Sequence, residues 1–298
     1  MKDPISTAVV ATMRMFIFPK RGILRLGLLA LVPIISSCAI ERGAARNESG
    51  PSVQLRVETT STRALDAPAT VELISQAELD AIVADIEAGT GAQIGVAVGE
   101  QVSGSVLTQV AWSTSKVPVA LAALRLNPEL APIMYQALSS SDNTAAQQLW
   151  DFLGGGDAAA QAANQILREA GDMHTEIQPN VIRPGYSAFG QTYWSVADQA
   201  RFAEGLKNIP ESAAVLDAMA DIIPAQRYGL GRLDNARFKG GWGPLDDGTY
   251  LVRQYGLIPS PNGEVGIALL VLTHDGYEAG HNVLDQLALR LGEAINPD

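Results

Sequence analysis

The sequence predicts an α/β fold in which strands from both ends of the chain form one antiparallel sheet and an all-helical region is inserted between them. Three observations predict this fold. Two strand-like runs follow an amphipathic helix early in the chain, alanine-rich segments of helical period fill about residues 117–215, and two late strand-like runs precede a terminal helix. The early and late strands are therefore expected to lie side by side, flanked by helices.

The first helix of the globular part is predicted over "SQAELDAIVADIEAG". Ser75 and Glu78 form a capping-box pattern, and four apolar residues at helical spacing form one stripe: Leu79, Ile82, Val83 and Ile86. Two strands are then predicted, at "QIGVAVGE" and near "GSVLTQVA", with "QVSG" as the turn between them. They lead into the apolar helix of "AWSTSKVPVALAAL".

The middle of the chain is predicted to be helical, and its end to return to strands. The helical segments are "LAPIMYQAL", "NTAAQQLWDFL", "DAAAQAANQILREAG" and "SVADQARFAEGL", the last capped by Ser195. The late runs "YLVRQYGLIPS" and "VGIALLVLTH" are joined by the hairpin signal "PNGE", and "HNVLDQLALRLGEAI" closes the chain as a helix.

Residues 1–38 have the pattern of a secretory signal. Basic residues precede the apolar run "LGLLALVPII", which is short for a spanning helix and ends in small residues before Cys38. The end of this run, "ISSC", resembles the bacterial lipoprotein lipobox, which implies that Cys38 carries lipid and that the protein is exported and membrane-anchored. The alternative is an ordinary cleaved signal with an incidental cysteine. Met15 is a possible alternative start of the chain.

Residues 39–69 are polar, small and without apolar periodicity, so they are predicted to form a flexible tether. Residues 70–298 are then predicted to form the globular domain. We expect this arrangement to hold a catalytic or binding domain at a distance from its lipid anchor.

Composition excludes several classes of function. With one cysteine, the chain can form neither an internal disulfide nor a cysteine metal cluster, and its three histidines form no HExxH pair. We therefore expect no metal and no cofactor. The net charge is −11, and the leader is basic, so the remainder is more acidic still and is not expected to bind nucleic acid through charge. A monomer is expected.

Ser113 and Lys116 form the first chemical pattern, because three residues of separation place them on one face of a helix. A lysine at the start of an otherwise apolar helix loses hydration, which lowers the pKa of its amine. A serine hydroxyl needs a base to become a good nucleophile, and a neutral lysine amine can be that base. The pair therefore predicts an activated serine.

Two further motifs accompany this pair. Ser141-Asp142-Asn143 lies directly before a predicted helix, and Lys239-Gly240-Gly241 lies at the start of the late strands. In this order, the three elements resemble S-x-x-K, S-D-N and K-[T/S]-G of the class A β-lactamases and penicillin-binding proteins. The resemblance covers about residues 73–293, and it implies a β-lactamase/transpeptidase-like fold with a sheet of about five strands.

The resemblance implies a serine hydrolase that performs acyl transfer. Ser113 would be the nucleophile, Lys116 its base, and Ser141 the group that relays a proton to the leaving nitrogen. The implied substrate is a small β-lactam or a cell-wall peptide of the D-Ala-D-Ala type.

The resemblance also implies substrate-binding residues. Asn143 would orient Lys116 and the substrate, Lys239 would hold the substrate carboxylate, and Arg253 matches the region of a second carboxylate-binding arginine. An N–H of the strand after Gly241 would join the Ser113 N–H in an oxyanion hole.

Two positions depart from the family pattern. Gly240 lacks the hydroxyl that would bind the substrate carboxylate, so substrate binding should be weaker or different. Glu176 is a candidate for the deacylating base, but it lies too early in its loop, and we expect the base to be missing. An acyl-enzyme would then form and persist.

Other interpretations remain open at this point. Asp142-Asn143 could only cap a helix, Lys239 could be a surface lysine, and Arg253 could extend from an edge strand. A catalytically weak or inactive envelope-binding lipoprotein would keep the fold without the reaction. An unrelated esterase would need a histidine base such as His174 or His274, and the G-x-S-x-G motif is absent around Ser113.

Overall fold

The computed structural model describes residues 73–297. The predicted signal, Cys38 and the tether lie outside the described residues. Within residues 73–297, no helix combines the length and the apolar character that crossing a bilayer requires.

Five strands form one antiparallel sheet in the order β2-β1-β7-β6-β5, and two short strands, β3 and β4, form a second sheet. The strands are β1 (Gln93–Val98), β2 (Gln101–Gly104), β3 (Thr108–Val110), β4 (Tyr193–Ser195), β5 (Arg237–Pro244), β6 (Tyr250–Ser260) and β7 (Gly263–Thr273). The predicted fold class is confirmed, with an antiparallel five-stranded sheet flanked by helices.

Eight α-helices accompany the sheets in the described part of the chain. They are α1 (Gln76–Thr90), α2 (Lys116–Leu126), α3 (Ala131–Ser139), α4 (Asn143–Phe152), α5 (Gly156–Glu169), α6 (Val196–Leu206), α7 (Ala213–Ala220) and α8 (Gly276–Ile295). Helices α2 to α7 lie between β3 and β5 in the chain, as the helical middle of the sequence predicts.

The main sheet joins the two ends of the globular region. Ile94 of β1 pairs with Val271 of β7, and β6 and β7 form the hairpin predicted at "PNGE". The prediction for "QVSG" is wrong, because these residues form β2, which pairs with β1 through a tight turn at Gly99. Four residues of mixed polarity carry too weak a pattern to separate a short edge strand from a turn.

Local sequence explains where the flanking helices begin. Ser75 Oγ accepts a hydrogen bond from the Glu78 N–H at the start of α1, and Ser195 Oγ accepts one from the Asp198 N–H at the start of α6. Each serine satisfies an amide that the first helical turn would leave without a partner. Both caps confirm the sequence prediction.

Two hydrophobic cores lie on opposite faces of the sheet. Alternate residues of β7 supply them: Leu270 faces the helical region, whereas Leu269 and Val271 face α1 and α8. The core on the helical side includes Leu121, Leu138, Leu149, Trp194 and Phe202. Strand β5 lies at one edge of the five-stranded sheet. It contacts the short turn of residues 112–115, which precedes α2.

Candidate active site

Ser113 lies at the junction between the second sheet and α2. It belongs to a short 3-10 turn, Trp112–Ser115, that runs directly into α2, and the Lys116 N–H donates to Ser113 O. Trp112 has a φ of +48°, a left-handed conformation that costs a non-glycine residue on the order of 1 kcal/mol or more. Within residues 73–297, the half-buried Ser113 hydroxyl has no hydrogen-bond partner, and Lys116 Nζ binds Ser141 and Asn143 instead of Ser113 Oγ.

Lys116 is buried beside this turn, with 2% of its surface exposed. Its Nζ donates hydrogen bonds to Ser141 O at 2.5 Å and Asn143 Oδ1 at 2.8 Å, and it lies 3.3 Å from Ser141 Oγ. Burial lowers the pKa of the Lys116 amine to about 7, and the nearby Asp142 carboxylate opposes that effect only in part. A substantial neutral fraction is therefore present near neutral pH.

The segment from Ser141 to Asn143 is fixed by the start of α4. Asp142 caps this helix, because its side chain accepts a hydrogen bond of 2.8 Å from the Ala145 N–H. Ser141 has a φ of +59°, which turns its carbonyl and its hydroxyl toward Lys116. Asp142 therefore caps α4, as one interpretation of the sequence predicted. The residues on either side of it, Ser141 and Asn143, also accept hydrogen bonds from Lys116.

Lys239 approaches the same serine from β5. It is fully buried, and its Nζ donates to Ser141 Oγ at 2.8 Å and to Gly240 O at 2.9 Å. Desolvation, together with the neighbouring Lys116 charge, holds the pKa of the Lys239 amine well below its ordinary value. The interpretation of Lys239 as a surface lysine is wrong, because the side chain joins the sheet to the helical region.

Gly241 brings β5 against the backbone of Ser113. A Cβ at this position would lie 2.8 Å from Ala111 O and 2.9 Å from Ser113 N, so no side chain can be accommodated. A Cβ on Gly240 would lie 3.6 Å or more from its nearest neighbours, which is ordinary contact. Glycine is therefore required at position 241, where β5 closely approaches the backbone of Ser113. Position 240 has room for a side chain.

The structure corrects the prediction for Arg253. This residue pairs with Gly241 in the sheet, but its side chain is fully buried on the face toward β3, β4 and α6. It donates hydrogen bonds to the carbonyls of Gln109, Val110 and Trp194 and to Gln199 Oε1. With every contact inside the fold, the guanidinium is not available to a substrate carboxylate. Alternation along β6 placed the arginine on this face.

The side-chain contacts of Glu176 are with α5 and not with Lys116 or Lys239. Its carboxylate is 70% exposed and binds Arg168 and Asn164 of α5. This ion pair anchors the loop of residues 172–192 to α5. The prediction that Glu176 is poorly placed as a deacylating base agrees with these contacts.

The histidines named for an esterase lie outside this network. His274 is exposed, and His174 Nδ1 lies 2.9 Å from Asp198 Oδ1. Asp172, His174 and Asp198 could each offer one ligand atom to a metal, with all three atoms within 4.8 Å of one another. Asp198 Oδ1 is already 2.8 Å from Arg201 Nη1, and Asp172 Oδ1 accepts hydrogen bonds from the His174 and Thr175 N–H groups, so both carboxylates have partners within the fold.

The arrangement of these elements matches known structures. TLA-3 extended-spectrum β-lactamase aligns with 74% of this chain and 98% of its own, at 15% identity and a TM-score of 0.60. The class A β-lactamase of Bacteroides cellulosilyticus aligns with 75% of this chain and 99% of its own, at 13% identity and a TM-score of 0.60. The chain has the class A β-lactamase fold.

A β-lactamase of Sphaerobacter thermophilus shows the same fold at 18% identity, with 75% of this chain and 98% of its own aligned and a TM-score of 0.57. No family model matches the sequence, and no curated protein matches it. The similarity to known proteins is therefore one of fold, and the roles of the site residues depend on the contacts that they make in this chain.

A cavity of about 310 Å³ lies beside Trp112, between the loop of residues 172–192 and the end of β5. Arg183 bridges its two sides: it donates to Pro244 O at 2.7 Å, lies 3.2 Å from Asp246, and its guanidinium stacks over Tyr186 at 4.6 Å. Sequence reasoning missed Arg183, because a lone arginine in a loop rich in proline and glycine carries no periodic signal.

An aromatic cluster on the other side of β5 was also missed. We call it the aromatic wall; it consists of Tyr228, Trp242, Tyr250, Tyr277 and His281. Ring centroids are 5.6 Å apart for Trp242 and Tyr277, 5.9 Å for Tyr250 and Tyr277, and 3.4 Å for the stacked Tyr228 and His281. The members come from distant parts of the chain, so no local pattern predicts their contact.

Proposed function

We propose that this protein is a serine hydrolase that performs acyl transfer through Ser113. One observation carries the proposal: Lys116 and Lys239 both reach Ser141 Oγ, and Lys116 begins the helix into which the turn of Ser113 runs. Two buried lysine amines that share one hydroxyl are costly for stability, and such groups with shifted pKa values cluster at catalytic sites.

The residues support a balanced acylation step. Neutral Lys116 takes the Ser113 proton while Ser113 Oγ forms a bond to the substrate carbonyl carbon. The N–H groups of Ser113 and Trp242 would stabilise the negative charge on the carbonyl oxygen. As the bond to the leaving nitrogen breaks, Ser141 donates its proton to that nitrogen and regains one from Lys116 through their 3.3 Å contact.

Hydrolysis of the acyl-enzyme is the slow step in this proposal. The carboxylate of Glu176 is held by Arg168 and Asn164, so it is not positioned by its contacts to activate water at Ser113. A persistent acyl-enzyme favours a penicillin-binding type of reaction over efficient β-lactam hydrolysis. The proposed substrates are β-lactams or cell-wall peptides of the D-Ala-D-Ala type.

We also propose that the protein is exported and anchored by lipid at Cys38. The support is the leader with its lipobox-like "ISSC" and the polar segment that follows. In a bacterial expression host, Cys38→Ser should move the protein from the membrane fraction to the soluble exported fraction. An unchanged membrane fraction would contradict the lipid anchor and leave the acyl-transfer proposal intact.

The test of acyl transfer is intact-mass spectrometry of the full chain during incubation with a panel of β-lactams. The expected result is a mass increase equal to one compound, absent in Ser113→Ala, that persists for hours. An adduct that decays within minutes would show efficient deacylation and make the protein a β-lactamase. No adduct with any compound would overturn acyl transfer.

A second candidate, a binding lipoprotein on the same fold, is favoured by one observation. Gly240 lacks a hydroxyl at the position where the related motif carries one, which weakens the case for a full catalytic site. Saturable binding of cell-wall peptides without any Ser113 adduct would support this candidate.

A further inference from the structure

The aromatic wall begins one residue from the reacting centre. Gly241 lies against Ser113 N, and Trp242 follows it on the edge strand β5. The Trp242 ring turns back along the strand, because its Cζ3 lies 3.7 Å from the place a Gly240 Cβ would occupy. Trp242, Tyr250 and Tyr277 are each partly exposed, so their rings offer a surface to a ligand.

Strand β5 connects the wall to the proposed proton donor. Ser141 Oγ, the proposed proton donor to that group, is bound to Lys239 Nζ, which also donates to Gly240 O. Gly240 is the residue against which the Trp242 ring lies. Residues 239–242 of β5 thus connect the proposed proton donor to the wall, while the cavity with Arg183 lies next to Trp112.

Basic side chains on β5 and β6 are already paired. Arg237 lies 3.2 Å from Glu264, Lys239 is bound to Ser141 and Gly240, and Arg253 is enclosed by four acceptors. The amines of Lys116 and Lys239 both have lowered pKa values, so together they carry less than two full charges at neutral pH. The net charge of −11 also disfavours the approach of an anion.

The side chain of residue 240 is also absent on this side. The space beside Gly240 is bounded by the ring of Trp242 and by Tyr228, whose Oη is 3.6 Å from the Cβ position. Aromatic faces bind flat, uncharged rings through stacking and apolar contact.

We propose that the aromatic wall is the leaving-group subsite and that it selects acyl donors whose leaving group is an uncharged aromatic ring over those whose leaving group bears a carboxylate. This inference rests on the proposed acyl transfer through Ser113. In such a reaction the bond from Ser113 Oγ to the acyl carbon forms, the ester C–O bond breaks, and the departing phenol oxygen takes a proton from Ser141.

The test uses two esters with the same phenylacetylglycyl acyl group, one of phenol and one of 3-hydroxybenzoate. The two leaving groups differ by one carboxylate. Release of the phenol by the full chain is measured at pH 7 after subtraction of the rate with Ser113→Ala. We expect kcat/KM to be at least tenfold higher for the phenyl ester.

Substitutions of single aromatic residues test whether the aromatic wall causes the preference for the phenyl ester. Trp242→Ala keeps the backbone N–H and should reduce the ratio to less than twofold, while Trp242→Phe, which keeps a ring, should retain most of it. Phe152→Ala, which removes another partly exposed aromatic ring on α4, should leave the ratio unchanged. Thermal unfolding verifies that each variant is folded.

The outcomes separate the two proposals. Equal or faster reaction of the carboxylated ester, with an adduct on Ser113, would overturn the subsite and leave acyl transfer standing. A preference that survives in folded Trp242→Ala would also overturn the subsite. If neither ester nor any β-lactam ever modifies Ser113, acyl transfer fails, and the subsite fails with it.

Discussion

Lys239 Nζ donates a hydrogen bond of 2.8 Å to Ser141 Oγ, and this bond joins the edge strand of the sheet to the loop before α4. The same oxygen lies 3.3 Å from Lys116 Nζ. Two amines thus share one hydroxyl in a buried place, which disfavours two protonated lysines at once and keeps one amine ready to accept a proton.

The rate of Ser113 acylation should rise with pH through an inflection near 7. The pKa of Lys116 is about 7, and only the neutral amine, which predominates above that pH, can accept the serine proton. Labelling rates measured by mass spectrometry from pH 5 to 9 test this. A rate that is flat or that falls across this range would exclude Lys116 as the base.

Lys116→Met should abolish most labelling, and it should lose stability relative to the wild type between pH 7 and pH 10, by about 1–3 kcal/mol. The folded pKa of Lys116 lies below its unfolded value of 10.5, so protonation favours the unfolded chain. The wild type therefore gains stability as pH rises from 7 toward 10.5, whereas the methionine variant lacks this gain. Denaturant unfolding of both proteins at pH 7 and pH 10 measures the change. A difference in stability that is the same at both pH values would contradict this account.

Gly241→Ala should reduce the acylation rate by about 100-fold or more, the typical cost of losing an oxyanion-hole donor. The added Cβ would lie 2.9 Å from Ser113 N and push β5 away from the nucleophile. Gly240→Ala is the matched control, because its Cβ meets only ordinary contacts, at 3.6 Å and beyond. Similar losses in both variants would remove Gly241 from the site.

Arg253→Met should lower the free energy of unfolding by about 3–5 kcal/mol, because four acceptors, two buried and two partly buried, lose their donor. Arg237→Met, at a partly exposed surface ion pair with Glu264, should change it by less than about 1 kcal/mol. Urea unfolding compares the two. If Arg253→Met is as stable as the wild type but loses affinity for carboxylated ligands, that result would support a role for Arg253 in binding the substrate carboxylate.

Glu176→Gln should leave the lifetime of the acyl-enzyme within twofold of the wild type. The carboxylate is exposed and bound to Arg168 and Asn164, and none of its contacts involves the lysine network. Intact-mass decay curves of the two proteins, recorded in parallel after removal of excess compound, provide the measurement. A much longer lifetime in the variant would identify Glu176 as the deacylating base.

Motifs with short internal spacing were predictable from the sequence. Ser113 and Lys116 share a turn, and the cap at Asp142 fixes its neighbours Ser141 and Asn143, so local rules place these side chains. The hairpin of β6 and β7 and the two serine caps followed from the same kind of rule.

Features that depend on long-range packing were not predictable. Arg253 lies on a strand that is buried on both faces. Its side chain can therefore face either of two apolar cores, and the apolar pattern of the strand does not show which one. The aromatic wall brings Tyr228, Trp242 and Tyr277 together from three separate elements. Only the completed sheet and α8 place them in contact.

The pairing of Ile94 with Val271 has a consequence for folding kinetics. Strand β1 can pair with β2 at once, but it cannot pair with β7 until the chain has been synthesised past Val271, and contacts so distant in sequence form slowly. A chain that must cross a membrane unfolded gains time from this order of events. The topology of the sheet therefore makes closure of the domain a late step of folding.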